Sequence, residues 1–112
     1  MKRFEPSVDY REGLLESLKN PREAIEYLNA ALEDGDKDVF LLALRDVVEA
    51  WGGMAKLARA AKLHRVSVYT ILSKRGNPTL ETVLAILKFL GVKFQIEKKG
   101  KPRHYEKMQR AA

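Results

Sequence analysis

The sequence predicts an all-α chain that carries one short strand near its C-terminal end. Three observations predict it. Apolar residues recur at three- and four-residue intervals through most of residues 7–90, as they do on amphipathic helices. Helix-breaking punctuation interrupts that pattern at Asn20-Pro21, Gly35-Asp36, Gly52-Gly53, Gly76-Asn77-Pro78 and Gly91. Only Val92-Lys93-Phe94-Gln95-Ile96-Glu97 alternates strictly, as a half-buried strand does. A length of 112 residues fits a single domain, 1–112, and a hydrophobic content of 46% can supply its core.

The N-terminal helices occupy residues 7–51. Ser7 can cap a first helix through Leu18, with Tyr10, Leu14 and Leu18 on one stripe. Asn20-Pro21-Arg22-Glu23 is a strong second start. Asn20 is the cap, Pro21 sits in the first turn where its missing N–H costs nothing, and Glu23 can reach back as in a capping box. Ile25, Leu28 and Leu32 then share a face, and Gly35 ends the helix. Asp36 can cap a third helix whose Phe40, Ala43, Leu44, Val47, Val48 and Trp51 form a buried stripe. After Gly52-Gly53 come a short helix from Met54 to Ala61, a turn at Lys62-Leu63 and a helix from His64 to Lys74. The last helix and the strand fill residues 79–97. Asn77 or Thr79 is the cap, Glu81 lies in the first turn, and Leu80, Val83, Leu84, Leu87 and Leu90 form the apolar side.

A lone strand leaves its backbone donors and acceptors unpaired. The simplest partner is its own copy across a two-fold axis. Val92, Phe94 and Ile96 are therefore expected to join a homodimer, with pairing to the chain's own Phe4-Glu5 region as the alternative. Residues 98–112 are polar and basic and are expected to form a flexible tail.

Composition narrows the function classes. The chain has no cysteine, which excludes a disulfide scaffold and thiolate metal sites and suits a reducing cytoplasm. No long apolar run follows the first charges, so no signal peptide is expected. The apolar stretches fall short of the ~20 residues of a membrane span. Charge is split along the chain: residues 1–50 carry 7 Lys/Arg against 12 Asp/Glu, a net −5, whereas residues 51–112 carry 14 against 3, a net +11. The basic half attracts polyanions such as nucleic acid, and the acidic half favours basic partners. Catalysis needs converging titratable groups. The two histidines, His64 and His104, lie on separate elements, and Gly52-Gly53 is followed by no phosphate-loop pattern. The chain is therefore expected to be neither an enzyme nor dependent on a metal or cofactor.

Residues 54–74 meet the steric demands of a helix-turn-helix. Two short helices that cross at a large angle need a small residue at the contact, apolar residues from both helices and the turn, and a free outer face on the second helix. Ala58 is the small contact beside Leu57, Leu63 plugs the turn, and Val68 and Ile71 are the inward residues of the second helix. His64, Arg65, Val66, Ser67, Tyr69, Thr70, Ser73, Lys74 and Arg75 are left as the candidate DNA-binding set. Arg65 suits a bidentate contact to guanine, Val66 a thymine methyl and Thr70 either base-edge type. Tyr69, Lys74 and Arg75 suit phosphates. Lys62 stands at a turn position whose backbone tends to positive φ and favours glycine, and His64 stands where serine caps better.

The runs Tyr27-Leu28-Asn29-Ala30-Ala31-Leu32, Phe40-Leu41-Leu42-Ala43-Leu44, Leu57-Ala58 and Tyr69-Thr70-Ile71-Leu72-Ser73-Lys74-Arg75-Gly76-Asn77-Pro78-Thr79 resemble the addiction-module antidote proteins, HigA-like antitoxins. The resemblance spans Tyr10 to Glu97, and the departures from the family pattern are Lys62 and His64. It implies a Cro/C1-type (lambda-repressor-like) helix-turn-helix bundle with extra N-terminal helices. It further implies a dimer that binds a palindromic operator, represses its own operon and neutralises a small basic ribonuclease toxin of RelE/HigB type. The acidic first half is a sensible docking face for such a toxin. The competing expectation is a stand-alone, phage-like repressor without a toxin.

Overall fold

A computed structural model describes residues 8–98, and these fold into six helices. They are α1 (Val8–Leu18), α2 (Pro21–Asp34), α3 (Lys37–Ala50), α4 (Met54–Ala61), α5 (Arg65–Ile71) and α6 (Leu80–Leu90). The capping chemistry operates largely as its residues dictate. The Asn20 side chain accepts from the N–H groups of Arg22 (2.9 Å) and Glu23 (3.4 Å), with Pro21 in the first turn of α2. Asp36 accepts from the Asp38 N–H at 2.8 Å, and Thr79 accepts from the Thr82 N–H at 3.1 Å. Gly35 and Gly91 end α2 and α6 in the left-handed region. Glu23 departs from the capping-box expectation: its carboxylate accepts the Ser17 hydroxyl at 2.7 Å, while the Asn20 N–H donates to the Ser17 carbonyl at 3.1 Å. Ser7 lies outside the described residues.

α1 and α2 pack on α3, and α4 joins that layer to α5 and α6. The buried side chains form one cluster that draws on every helix, with Leu18, Leu41, Leu44, Val47, Val48, Leu57, Val68, Leu72 and Ile86 all but inaccessible. Burying an aliphatic side chain of this size contributes roughly 1.5–3 kcal/mol. Two stripes are rotated from their sequence expectation. α2 buries Ala24, Leu28 and Ala31, because alanines allow close approach to α3, and leaves Ile25 and Leu32 exposed. α6 buries Ile86, Leu87 and Leu90 and exposes Leu80 and Leu84. Polar links supplement the core at the α1–α2–α3 junction. Arg11 donates to Asp46 and to Glu49, each at 3.0 Å. The Tyr27 hydroxyl donates to Asp46 at 2.6 Å, and burial together with this bond holds that hydroxyl well above the ordinary phenol pKa. The Trp51 indole N–H donates to the Leu18 carbonyl at 2.5 Å.

The expected C-terminal strand is not formed. Residues 92–98 have no regular secondary structure and run beside α2, sharing clefts with Ile25, Leu28, Asn29 and Leu32. A strand exists only through pairing, and among the described residues no second strand is present to supply it. Residues 1–7, which include Phe4-Glu5, and residues 99–112, nearly all of the expected basic tail, lie outside the described residues.

Lys62 adopts φ 58° and ψ 44° and is the one described non-glycine residue with positive φ. The turn demands this conformation: the Lys62 N–H donates to Arg59 O (3.3 Å) and the Leu63 N–H reaches back to Ala58 O (2.8 Å), closing α4. A Cβ at positive φ costs about 1 kcal/mol. Lys62→Gly is therefore expected to raise stability by about 0.5–1 kcal/mol, read as a rise in the melting midpoint. A fall would mean that the lysine side chain contributes more than its backbone strain costs.

Candidate nucleic-acid interface

α4 and α5 place the candidate residues. Leu57 and Ala58 of α4 and Val68 of α5 are buried where the two helices meet, with Leu63 part-buried in the turn. Leu72, just past α5, is wholly buried and shares the inward role with Val68, while Ile71 is only partly buried. The spacing of four residues between Val68 and Leu72 is as good an inward pair as Val68 and Ile71. The composition of the helix did not distinguish them.

α5 ends at Ile71, three residues short of the expected Lys74. Leu72 leaves the helical region at φ −97° and ψ 44°. The Ser73 hydroxyl takes the Thr70 carbonyl at 2.7 Å and the Gly76 N–H takes the Ser73 carbonyl at 2.9 Å. Carbonyls that would have continued the helix are thus satisfied by a side chain and by a turn. Ser73, Lys74 and Arg75 consequently sit in the turn after α5 rather than on its face.

Arg65, Val66, Tyr69 and Thr70 share the exposed side of α5, with Val66 77% and Tyr69 37% accessible. Ser67 is part-buried. His64 holds the extended cap conformation, φ −69° and ψ 143°, without a side-chain capping bond. The Thr70 hydroxyl donates to the Val66 carbonyl at 3.2 Å, so its lone pairs remain for an incoming donor. Lys74 and Arg75 are exposed immediately beyond. Behind the turn, the Lys37 ammonium of α3 donates to the Gly76 carbonyl at 2.7 Å.

Between Glu49 and Glu81 the chain has no acidic residue and six Lys/Arg: Lys56, Arg59, Lys62, Arg65, Lys74 and Arg75. All six are exposed. Six of the fourteen Lys/Arg of the basic half thus lie on α4, α5 and their turns with no acid among them, a finer signal than halving the chain revealed. Such a surface suits phosphates, and the apolar Val66 amid it suits a base methyl. Among the described residues no group of three or more His, Asp or Glu is placed to hold a metal, and no helix is long and apolar enough to cross a membrane.

Residues 12–98 match the family described as probable addiction module antidote protein. The chain belongs to that family. An uncharacterized protein of Haemophilus influenzae is 37% identical to this antidote protein over 82 residues, which cover 73% of this chain and 84% of the relative. No solved structure matches the chain. The match takes in all of α2 to α6 and most of α1. Membership gives the antidote protein an antitoxin role and implies a toxin partner of some kind.

Proposed function

We propose that this antidote protein is a HigA-like antitoxin with a Cro/C1-type helix-turn-helix. In this reading α4 and α5 are the two helices of the motif and α5 is inserted in the major groove. The observation that carries the proposal is the exposed side of α5: Arg65, Val66, Tyr69 and Thr70 face outward from a helix held by Val68 and Leu72, in a stretch of chain without an acid. Arg65 and Thr70 read base edges. His64, Ser67, Ser73, Lys74 and Arg75 contact the sugar-phosphate backbone around them. The protein represses its own operon and acts in the cytoplasm.

Two copies act together. The backbone of residues 92–96 has no ladder partner among the described residues, its apolar residues alternate, and Phe94 and Ile96 are 40% and 98% exposed. A second copy of the chain covers them, with Val92, Phe94 and Ile96 at the junction. The dimer presents two α5 helices about 34 Å apart, so the operator is a near-palindrome. The toxin is a small basic ribonuclease of RelE/HigB type. It docks on the acidic N-terminal helices, where Glu12, Glu16, Glu26, Glu33 and Asp34 are exposed.

A gel shift on the DNA upstream of the gene, beside a scrambled duplex and at two salt concentrations, tests the reading. Specific retention that survives moderate salt is expected. Arg65→Ala should cost roughly 1–3 kcal/mol and relax preference at one operator position. Lys74→Ala should weaken all duplexes alike and reduce the salt slope by about 1. An Arg65→Ala protein with unaltered affinity and preference would mean that α5 does not read bases. Equal retention of both duplexes that vanishes with salt would leave only a basic surface.

A further inference from the structure

α3 lies outside the α4–α5 pair, yet one of its side chains reaches the exposed face of α5. The Arg45 guanidinium carbon lies 5.5 Å from the centroid of the Tyr69 ring, and that of Arg65 lies 6.0 Å from the same centroid. The two cations differ in how they are held. Arg65 is exposed and makes no ion pair among the described residues. Arg45 is part-buried, and its Nε donates to Glu49 Oε1 at 3.1 Å. Glu49 is itself fixed, because its Oε2 accepts from Arg11 at 3.0 Å. Arg11 also binds Asp46 Oδ1 at 3.0 Å, and Asp46 Oδ2 accepts the Tyr27 hydroxyl at 2.6 Å. A hydrogen-bonded chain through α1, α2 and α3 thus holds Glu49, Glu49 holds the Arg45 guanidinium, and that cation abuts an aromatic residue of α5.

A guanidinium pinned at Nε is a rigid plate, and an aromatic ring packs on it in a narrow range of orientations. Tyr69 is 37% exposed and would otherwise have rotamers to lose when DNA binds. Ordering a side chain before binding removes that cost from the binding step. The charge of Arg45 is balanced by Glu49, whose carboxylate would repel a phosphate brought to the same place, so a direct phosphate contact is not the role this geometry fits. We propose that Arg45 is a positioning residue for DNA recognition: it holds Tyr69, and through Tyr69 the neighbouring Arg65, in the arrangement that reads the operator. This rests on the reading of α5 as the DNA-reading helix.

The test is a double-mutant cycle between Arg45→Gln and Tyr69→Leu. It is read by gel shift on upstream and scrambled duplexes at two or more salt concentrations, at a temperature where circular dichroism shows every variant folded. Arg45→Gln should reduce the preference for the upstream duplex about two- to fivefold and leave the salt slope unchanged. With leucine at 69 the same change should cause no further loss, which is the signature of coupled residues. Should Arg45→Gln not fold, Arg45→Lys, which keeps the cation beside Glu49, should give a smaller loss in the same direction. Additive losses with a salt slope lower by about 1 would make Arg45 an independent phosphate contact and overturn the proposal. So would an unaltered preference in a protein whose wild type discriminates between the duplexes, and that result would leave the DNA reading standing. A wild type that does not discriminate removes the DNA reading, and the proposal with it.

Discussion

Gly76→Ala is expected to lower the melting temperature by about 12 °C or more, a loss of at least about 3 kcal/mol. Gly76 is buried at the end of the turn that follows α5. A Cβ built on it would lie 1.9 Å from the Ile71 carbonyl oxygen, 2.7 Å from the Ile71 carbonyl carbon and 2.9 Å from the Thr70 carbonyl oxygen. All three are backbone atoms, so no side chain can swing aside to make room. The last turn of α5 must shift, or Gly76 must withdraw and lose its bonds to the Ser73 carbonyl and the Lys37 ammonium. A shift of the last turn of α5 displaces Thr70, and in that case the proposed DNA binding should fall beyond what the lost stability explains. Gly13→Ala is the matched control. Gly13 lies within α1, and a Cβ there meets nothing within 4 Å. Alanine should therefore stabilise that helix by about 0.5–1 kcal/mol. Thermal melts of the two variants check the contrast. A Gly76→Ala protein that melts within a few degrees of wild type would mean that the close approach at the end of α5 is relaxed in solution.

The same glycine illustrates what could be read from the sequence. Gly76-Asn77-Pro78 is legible as a break because glycine and proline interrupt any helix. That Gly76 must be glycine is not legible, since it depends on where the Ile71 carbonyl falls after the chain has turned. Features set by a few adjacent residues were read well, apart from Glu23, whose carboxylate takes the Ser17 hydroxyl instead of the Asn20 N–H. Asn20, Asp36 and Thr79 cap through side-chain atoms two or three residues from their targets, and Lys62 takes the left-handed conformation that its place between two short helices imposes. Features that depend on a neighbouring helix were read poorly. Ala24 and Ala31 are buried, and Ile25 and Leu32 are not. Hydrophobicity ranks the larger residues higher, but close packing against α3 selects the smaller ones. The early end of α5 turns on which donors reach the carbonyls of its last turn. The proximity of Arg45 to Tyr69, 24 positions apart in sequence, has no local signal at all. The strand was misread for a related reason: alternation records what a segment buries when it is paired, and a single chain does not supply the pair.

Phe94→Asp should convert the proposed dimer into a monomer in sedimentation and reduce affinity for the proposed palindromic duplex by roughly 100- to 10,000-fold. The argument begins with exposed apolar side chains that the single chain leaves uncovered. Phe94 lies with Ile25, Leu84, Leu87 and Val92 around one open cleft between α2 and α6. Ile25, Leu84 and Phe94 are 38%, 46% and 40% exposed, and Ile96 beyond them is 98% exposed. A contiguous apolar patch of this kind marks an interaction surface. The patch adjoins a backbone segment whose hydrogen-bonding groups have no ladder among the described residues, and a second copy of the same segment would satisfy both needs at once. An aspartate at 94 buries an unpaired carboxylate at that junction, which costs several kcal/mol in the dimer. In the monomer the side chain is already part-exposed, so the helical signal and the melting midpoint at low concentration should change little. In the proposed reading the operator affinity falls because a second recognition helix would no longer bind as part of the same molecule. Its salt slope should fall by about half, since a monomer contacts half as many phosphates. Base preference within a single half-site should persist, because Arg65, Tyr69 and Thr70 lie on a different helix from the patch. Loss of that preference together with the dimer would show that the substitution had damaged α5. A dimer that survives aspartate at 94 would move the junction to another face, with the N-terminal helices the next to be tested.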